Sequence, residues 1–120
     1  MSNRLFQSVI HQMREAVDRT IGVIEASDKL VPLSEQYART GIQFMNFNTV
    51  YQMQADKMMR PEILEKAKTL LFMPDLFVYF LTGKKICEYT IASTGQLLDA
   101  KKRDFDYEYL EKMGVRTDLL

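Results

Sequence analysis

The sequence has little of the chemistry from which catalytic centres are usually built: among 120 residues there is one cysteine, one histidine and no tryptophan. The single thiol, Cys87, cannot form an intramolecular disulfide. His11 and Glu15 are spaced to lie on one helix face, as a pair of metal ligands would be. One cysteine and one histidine do not supply the set of ligands that a zinc site needs, so His11 is interpreted as an ordinary surface or core histidine. His11 is also the only imidazole, and no nucleophile-elbow sequence surrounds a serine. These absences argue against metal-dependent and Ser-His-Asp or Cys-His catalysis by this chain.

The sequence also lacks a charge excess and a long hydrophobic run. Lysine plus arginine and aspartate plus glutamate both number 16, so the formal net charge is zero and no nucleic acid partner is expected. The longest apolar run, residues 76–81, is far shorter than the ~20 residues of a transmembrane helix. Because no signal-peptide pattern opens the chain, we expect a cytoplasmic protein without a membrane partner.

Large flexible and aromatic side chains are abundant: the chain has eight methionines, seven phenylalanines and six tyrosines. Methionine adapts to gaps in a core, which is the simplest interpretation of five of them. These are Met45, Met53, Met58, Met59 and Met73. The alternative is a surface that becomes buried against a partner or a second copy of the chain.

The pattern of residues predicts a mostly α-helical cluster with a few short strands. Residues 4–10 alternate and are rich in β-branched and aromatic side chains, which predicts a strand. From Arg19 to Pro32 the pattern is helical, with Ile21, Ile24 and Leu30 on one side. Ser34 is expected to cap a short helix over residues 35–39, which Gly41 closes.

The connector over residues 41–47 is too aromatic for an ordinary solvent loop, so we expect it to pack against the rest of the chain. Asn48 can cap the following helix. Pro61 stands at the favoured first position of another helix, whose apolar positions continue to Leu71. Pro74 opens a helix that is apolar on all sides and should therefore be enclosed.

The last third of the chain combines an extended segment with a short helix. Residues 84–91 suit an extended segment or a short hairpin arm, and residues 93–95 suit a turn. The last helix is predicted to begin near Asp104 or Asp106 and to stop at Gly114. The remaining aspartates that could act as general bases, Asp18, Asp75 and Asp99, are interpreted as helix caps or solvated groups. The basic runs at residues 84–85 and 101–103 are interpreted as solvated surface.

Two stretches of the chain resemble a known family. Residues 37–44 (YARTGIQF) and 46–53 (NFNTVYQM) resemble a segment of the rhamnulokinases, which belong to the FGGY family of carbohydrate kinases. Residues 73–83 (MPDLFVYFLTG) and 88–98 (EYTIASTGQLL) resemble the same family in the same order. Leu-Thr-Gly followed by Ala-Ser is shared widely among FGGY sugar kinases, whereas Gly-Ile-Gln-Phe and Asn-Thr-x-Tyr-Gln look specific to the rhamnulose branch.

The resemblance covers residues 19–120 and extends more loosely over residues 1–18, so the chain resembles part of an N-terminal FGGY-kinase domain. Rhamnulokinases of this kind tend to show Tyr-Arg-Asp-x-Arg-Thr at this point. Arg19 and Thr20 fit that motif, while Val17 stands where the acid would be. Ile91 and Gly95 stand where relatives often carry Asn and Thr.

The resemblance implies a fold and an activity. In this family two ribonuclease-H-like, actin-like domains close around a cleft, and magnesium-ATP phosphorylates a primary hydroxyl of the sugar, here an L-rhamnulose-like ketose. The phosphate-binding strands of the family precede the matched part, and the catalytic aspartate and ATP-binding domain follow it. We therefore expect no catalytic, cofactor-binding or metal-binding residue in this chain and no activity of the chain alone, because phosphoryl transfer requires nucleotide, metal and base together.

The resemblance also points to substrate-proximal residues. By similarity with related sugar kinases, Phe47, Asn48 and Thr49 are expected near the sugar, and Arg19 is a further candidate. The structural alternative is that Asn48 and Thr49 cap a helix and Phe47 belongs to the core. For the whole chain, the alternative to a kinase segment is a standalone helical binding or scaffold module that holds a partner with its Met-rich and aromatic face.

Overall fold

The computed structural model describes His11, Arg14, Glu15 and residues 17–120, so the strand predicted over residues 4–10 lies outside the described residues. Residues 17–19 are helical and lead through a turn into the remaining elements. In chain order these are helices α1 (Val23–Leu30), α2 (Leu33–Thr40), α3 (Thr49–Met59), α4 (Pro61–Lys66), α5 (Met73–Thr82) and α6 (Tyr89–Thr94), strands β1 (Leu98–Asp99) and β2 (Asp104–Phe105), helix α7 (Tyr107–Lys112) and a 3-10 turn (Thr117–Leu119). The prediction of a mostly α-helical cluster with short strands is confirmed.

Helix α3 lies at the centre of the core. It buries side chains on more than one side and contacts α1 and α4. Gln54 on this helix also donates to Met113 O, just after α7, at 3.0 Å. The largest fully buried apolar and aromatic side chains are Val23, Val31, Val50, Tyr51, Leu97, Tyr109, Leu110 and Met113. Each buried side chain of this size contributes about 1.5–3 kcal/mol, so this cluster is the main source of stability in the described chain.

The two strands form a small antiparallel pair in which Leu98 lies opposite Phe105. Two backbone hydrogen bonds attach this pair to its neighbours: Ala100 N donates to Arg39 O at 2.9 Å, and Asp106 N donates to Leu97 O at 3.0 Å. The pair therefore joins the end of α2 to the start of α7.

Helix ends with local signals lie where they were predicted. Gly41 and Gly83 adopt left-handed backbone conformations (φ 67° and 70°) and end α2 and α5. Only glycine reaches this region without steric cost, and it allows each amide to bond a carbonyl four residues back. Pro61 begins α4, and the carboxylate of Asp106 accepts a hydrogen bond from Tyr109 N at the start of α7.

The predicted apolar face of the first helix was right for Ile24, which packs partly buried against the core, and wrong for its other two residues. Ile21 and Leu30 are exposed, and α1 instead buries Val23 and Ser27. The reason is Gly22, whose positive φ separates the first helical segment from α1, so Ile21 falls in a turn and the apolar face begins two residues later, at Val23. Ser34 does not cap α2, because the helix begins at Leu33, and Asp28 Oδ1 accepts a hydrogen bond from Leu33 N at 2.8 Å.

Two further segments differ from expectation. The helix that starts at Pro61 ends at Lys66, and residues 67–72 are irregular because Leu70 N bonds to Leu119 O at 2.8 Å rather than to a helical carbonyl. Residues 89–91, predicted to be extended, form the first turn of α6, where Glu88 accepts hydrogen bonds from the amides of Thr90 and Ile91. Long-range contacts and a side-chain cap thus override the local patterns.

The expected enclosure of α5 was wrong for the described residues. The side chains of Met73, Phe77, Phe80 and Leu81 are exposed. The interpretation of the methionines as core filler holds for Met53 and fails for Met45, Met58, Met59 and Met73, which are exposed. The alternative interpretation, a surface that becomes buried against a partner, therefore stays a prediction for these side chains.

Candidate functional site

The connector between α2 and α3 brings the predicted substrate-proximal residues to the start of α3. It is irregular over residues 41–47, as predicted, and Phe44 packs partly on the core and edge-on against Tyr37, with ring centroids 6.4 Å apart. Phe47 does not follow Phe44 inward: its side chain is 57% exposed. The core alternative for Phe47 is therefore wrong, and its ring lies on the surface of the connector.

Asn48 lies under the connector. It occupies the residue before α3 and is only 4% exposed, but its side chain makes no capping hydrogen bond. Its amide Nδ2 instead donates to Gln43 O at 2.9 Å and to Gln96 Oε1 at 2.8 Å. The predicted capping by the Asn48 side chain is therefore wrong, because the amide ties the connector to the interior.

Gln96 belongs to a buried group that we call the amide–tyrosine cluster: Gln36, Asn48, Tyr51, Gln96 and Tyr109. Gln96 Nε2 donates to Gln36 Oε1 and to Tyr51 Oη, both at 3.2 Å, and Tyr51 Oη donates to Gln36 Oε1 at 3.0 Å. Gln36 Nε2 in turn donates to Val31 O at 2.7 Å and to Ser27 Oγ at 3.2 Å. Buried polar groups are costly unless they are satisfied, and this cluster meets that requirement internally.

Burial changes the acidity of the tyrosines in this cluster. The interior position raises the pKa of Tyr51 and of Tyr109 above the ordinary tyrosine value, because the phenolate would be desolvated. For Tyr109 the neighbouring Tyr51 adds to this effect. Both side chains are therefore neutral hydrogen-bonding groups around neutral pH.

An ion-pair group at the surface holds α2 to α7 beside this cluster. Arg39 donates to the buried carboxylate of Asp106 at 3.1 Å and to Glu108 at 3.1 Å. The hydrogen bond to Asp106 is the largest cause that raises the pKa of Arg39 above its usual value. The pair fixes α2, which carries Gln36, against α7, which carries Tyr109.

Arg19, in the segment before α1, contacts the middle of α3. Its guanidinium donates to Asp56 Oδ1 at 3.0 Å and to Gln52 Oε1 at 2.9 Å, both on α3. Gln52 Nε2 donates to Asn46 O at 3.0 Å, so a chain of hydrogen bonds connects Arg19 to the connector next to Phe47. Asp56 also pairs with Arg60. This arrangement orients the Arg19 guanidinium through two partners.

A cleft lies beside Arg19. Its volume is about 550 Å³, and it is lined by Glu15, Asp18, Arg19 and Arg60. Such a volume is in the range of small-molecule sites, and the lining side chains are polar and charged. The cleft therefore has the size and the hydrogen-bonding groups suited to a polar ligand.

Thr49 completes the set of predicted residues. It is half-buried, and the end of α6 approaches it closely: a Cβ added at Gly95 would lie 3.0 Å from Thr49 Oγ1. Val50 N donates to Gly95 O at 3.1 Å in the same place. Gly95 thus permits close contact between the start of α3 and the turn that carries Gln96.

Phe47, Asn48 and Thr49 lie at the start of α3, whereas Arg19 contacts the middle of this helix at Gln52 and Asp56. Sequence reasoning missed their supports, Gln52, Asp56 and Gln96. Gln52 lies within the Asn-Thr-x-Tyr-Gln motif and Gln96 within the second matched stretch, so the resemblance contained a signal for both. The only sequence signal for Asp56 was its spacing of four residues from Gln52, which places both residues on one helix face.

The described part of the chain contains further titratable residues outside this region. Within it, no group of three or more His, Cys, Asp or Glu side chains could hold a metal ion. His11 and Glu15 form an exposed pair 3.6 Å apart, as expected for an ordinary histidine. Asp99 is a turn cap whose pKa is lowered by hydrogen bonds from the amides of Lys102 and Lys101.

Asp75 departs from its interpretation as an ordinary cap or solvated group. It is buried, and its Oδ1 accepts a hydrogen bond from Glu88 N at 3.1 Å, so it links α5 to the segment before α6 rather than capping its own helix. Its Oδ2 has no hydrogen-bond partner among the described residues.

Comparison with known proteins identifies the class to which this arrangement belongs. Residues 7–120 match the profile of the FGGY family of carbohydrate kinases, N-terminal domain, and the chain belongs to this family. The N-terminal domain of the family has the actin-like ATPase fold, so the helical cluster described above is part of an α/β domain of that type.

Comparison with individual proteins shows which members of the family the chain is similar to. The chain is 44% identical over 101 residues to a rhamnulokinase of Halalkalibacterium halodurans and 41% identical over 101 residues to one of Oceanobacillus iheyensis, each covering 84% of this chain and 22% of the relative. It is 46% identical over 97 residues to a rhamnulokinase of Pectobacterium atrosepticum, covering 81% of this chain and 20% of the relative. The chain thus spans about a fifth of the length of these curated relatives. None of the helices in the described residues is long and apolar enough to cross a membrane.

Proposed function

We propose that the chain forms part of the sugar side of the cleft in an ATP-dependent kinase that converts L-rhamnulose to L-rhamnulose 1-phosphate. The observation that carries this proposal is the hydrogen-bonded path from Arg19 through Gln52 to Asn46, beside the exposed ring of Phe47. The rhamnulokinase relatives support the choice of sugar. The proposed location is the cytoplasm.

Each residue has a proposed role in binding the ketose. The guanidinium of Arg19, oriented by Asp56 and Gln52, donates charge-assisted hydrogen bonds to sugar hydroxyls. The ring of Phe47 offers an apolar surface to the C–H face of the sugar, and the hydroxyl of Thr49 is proposed to bond to a hydroxyl of the sugar. Asn48 is proposed to support the connector from the interior, because its Nδ2 is bonded to Gln43 and Gln96.

ATP and Mg²⁺ are proposed to bind to other parts of the full-length enzyme. The described residues do not fit these groups: they contain no cluster of metal-ligating side chains. The sequence contains no glycine-rich phosphate loop of the Gly-x-x-x-x-Gly-Lys or Gly-x-Gly-x-x-Gly type. The chain alone is therefore proposed to be inactive, with its own residues orienting the sugar only.

A coupled ATPase assay tests the inactivity. The purified 120-residue chain, with magnesium-ATP and L-rhamnulose, is expected to show no sugar-dependent turnover above the blank. Turnover that rises with rhamnulose would contradict this part of the proposal.

A titration with L-rhamnulose, followed by NMR chemical shifts, tests the sugar site. Arg19→Lys keeps the charge but loses the fork of donors, so it should weaken binding. Arg103→Lys is a matched control at an exposed position and should bind as the parent does. Equal affinities for both variants, or no response of the parent at millimolar sugar, would contradict the proposed site.

The second candidate function is a standalone helical binding module, which the exposed apolar side chains of α5 favour. The neighbourhood of the gene distinguishes the two. Flanking sequence that codes for the rest of a kinase favours the kinase segment, whereas a separately expressed short gene favours the module.

A further inference from the structure

Gln96 combines a strained backbone with a fully buried side chain. Its φ is 61°, in the left-handed region that residues other than glycine rarely adopt, and its side chain is 0% exposed. Such strain persists only where the surroundings enforce it, and it concentrates at functional sites. Three hydrogen bonds of the Gln96 amide supply that enforcement, to Asn48, Gln36 and Tyr51.

The direction of these hydrogen bonds makes an amide necessary at this position. Asn48 Nδ2 donates to Gln96 Oε1, Gln96 Nε2 donates to Tyr51 Oη, and Tyr51 Oη donates to Gln36 Oε1. Gln96 must therefore accept at one end and donate at the other. Neither a carboxylate nor a hydrocarbon of the same length can do both.

We propose that Gln96 is a positioning residue, which holds the connector so that Phe47 is presented at a fixed orientation on the surface. This inference rests on the proposed function for its biological meaning, since Phe47 is the proposed sugar platform. The link is short: Asn48 follows Phe47 directly, and its side chain is bonded to Gln96. Gln52, through Asn46 O, holds the other side of Phe47.

The absence of tryptophan from the sequence allows a direct test. In the full 120-residue chain, Phe47→Trp places a single indole at an exposed position as a reporter. Gln96→Met, added to this reporter, removes the amide at nearly constant length and without branching. The steady-state anisotropy of the indole should fall and its quenching by acrylamide should rise, because the connector gains mobility.

The matched control is Arg103→Met. Arg103 is the other described residue outside glycine with positive φ, at 58°, and it is exposed. The substitution to methionine is thus made in the same backbone region but away from the cluster. Its indole anisotropy should equal that of the reporter alone.

Circular dichroism shows whether Gln96→Met is folded, and this result determines which variant tests the proposal. If Gln96→Met is folded and its anisotropy is unchanged, the proposal is wrong. If Gln96→Met does not fold, Asn48→Ala decides, because it removes the bonds from Asn48 to Gln96 and to Gln43 O and leaves Gln96 bonded to Gln36 and Tyr51. Unchanged anisotropy in Asn48→Ala would then overturn the proposal, and a fall in anisotropy would support it.

A rhamnulose titration of the reporter separates this inference from the proposed function. A change of indole emission with sugar supports Phe47 as part of the sugar side. If the indole emission does not change with sugar but the anisotropy falls in Gln96→Met, the proposed function is contradicted and the positioning role is supported. The two statements therefore fail independently.

Discussion

The amide–tyrosine cluster and helix α5 are opposites in composition and in burial. The cluster consists of polar side chains and is buried, and its hydrogen bonds connect α2, α3 and α7 with Gln96 in the turn after α6. Helix α5 consists largely of apolar side chains, yet Phe77 is 61% exposed and Leu81 is 86% exposed. The difference teaches that burial depends on the neighbours an element has within the chain, not on its own hydropathy alone.

The largest expected effect comes from a leucine-to-alanine substitution in the buried core, at the residue after Tyr109 of the cluster, compared with the same substitution on α5. Leu110→Ala, at a side chain that is 0% exposed, should lower the free energy of unfolding by about 2–5 kcal/mol through lost transfer energy and a cavity. Leu81→Ala is the matched control on α5 and should change it by less than about 0.5 kcal/mol. Urea unfolding followed by circular dichroism at low protein concentration measures both. Equal losses would mean that α5 is packed in solution.

The cap of α7 should have the next largest effect. Asp106→Ala removes the acceptor for Tyr109 N and the buried partner of Arg39, so it should destabilise the chain by about 1–3 kcal/mol. Asp118→Ala serves as control, because Asp118 is an exposed carboxylate paired with Arg116, and little change is expected. Thermal unfolding compares the two. A loss in Asp118→Ala as large as that in Asp106→Ala would contradict the capping role.

Alkaline pH should weaken the buried cluster. Because the pKa of Tyr109 is raised in the folded state, its contribution is complete below the unfolded value of about 10 and is lost as pH rises through the folded value. The slope is at most about 1.4 kcal/mol per pH unit for one tyrosine. Urea midpoints at pH 8 and pH 10.5 should therefore differ less in Tyr109→Phe than in the parent. An identical pH dependence would contradict the assignment of the slope to Tyr109.

Local chemistry explains which parts of the fold were predictable. Gly41, Gly83, Pro61 and Asp106 act on their own helix ends, so their roles were visible in a few neighbouring residues. The exposure of α5 could not be predicted from the sequence, because an apolar pattern favours burial but does not specify which surface covers the helix. Residues 89–91 were missed because the cap from Glu88 outweighed their extended propensity.

The candidate site was predictable only in part for the same reason. The resemblance pointed to Arg19 and to residues 47–49, but the contacts that organise them join distant positions: Arg19 and Asp56 are 37 residues apart, and Asn48 and Gln96 are 48 apart. Neither periodicity nor composition specifies such pairs. A single glutamine in a turn offers no sign that it is buried and strained.

Substitutions on α5 are expected to have the smallest effect on stability. They test most directly the contrast between α5 and the amide–tyrosine cluster. If its apolar face drives association between copies, Phe77→Ser with Leu81→Ser should shift the sedimentation profile toward monomer without lowering the unfolding midpoint, because both side chains are already exposed. The paired control, Lys84→Ser with Lys85→Ser, changes exposed residues just after the helix and should leave association unchanged. A parent chain that is monomeric at high concentration would contradict the association. It would also show that the exposed face of α5 is tolerated in water, as isolated apolar residues are on many proteins.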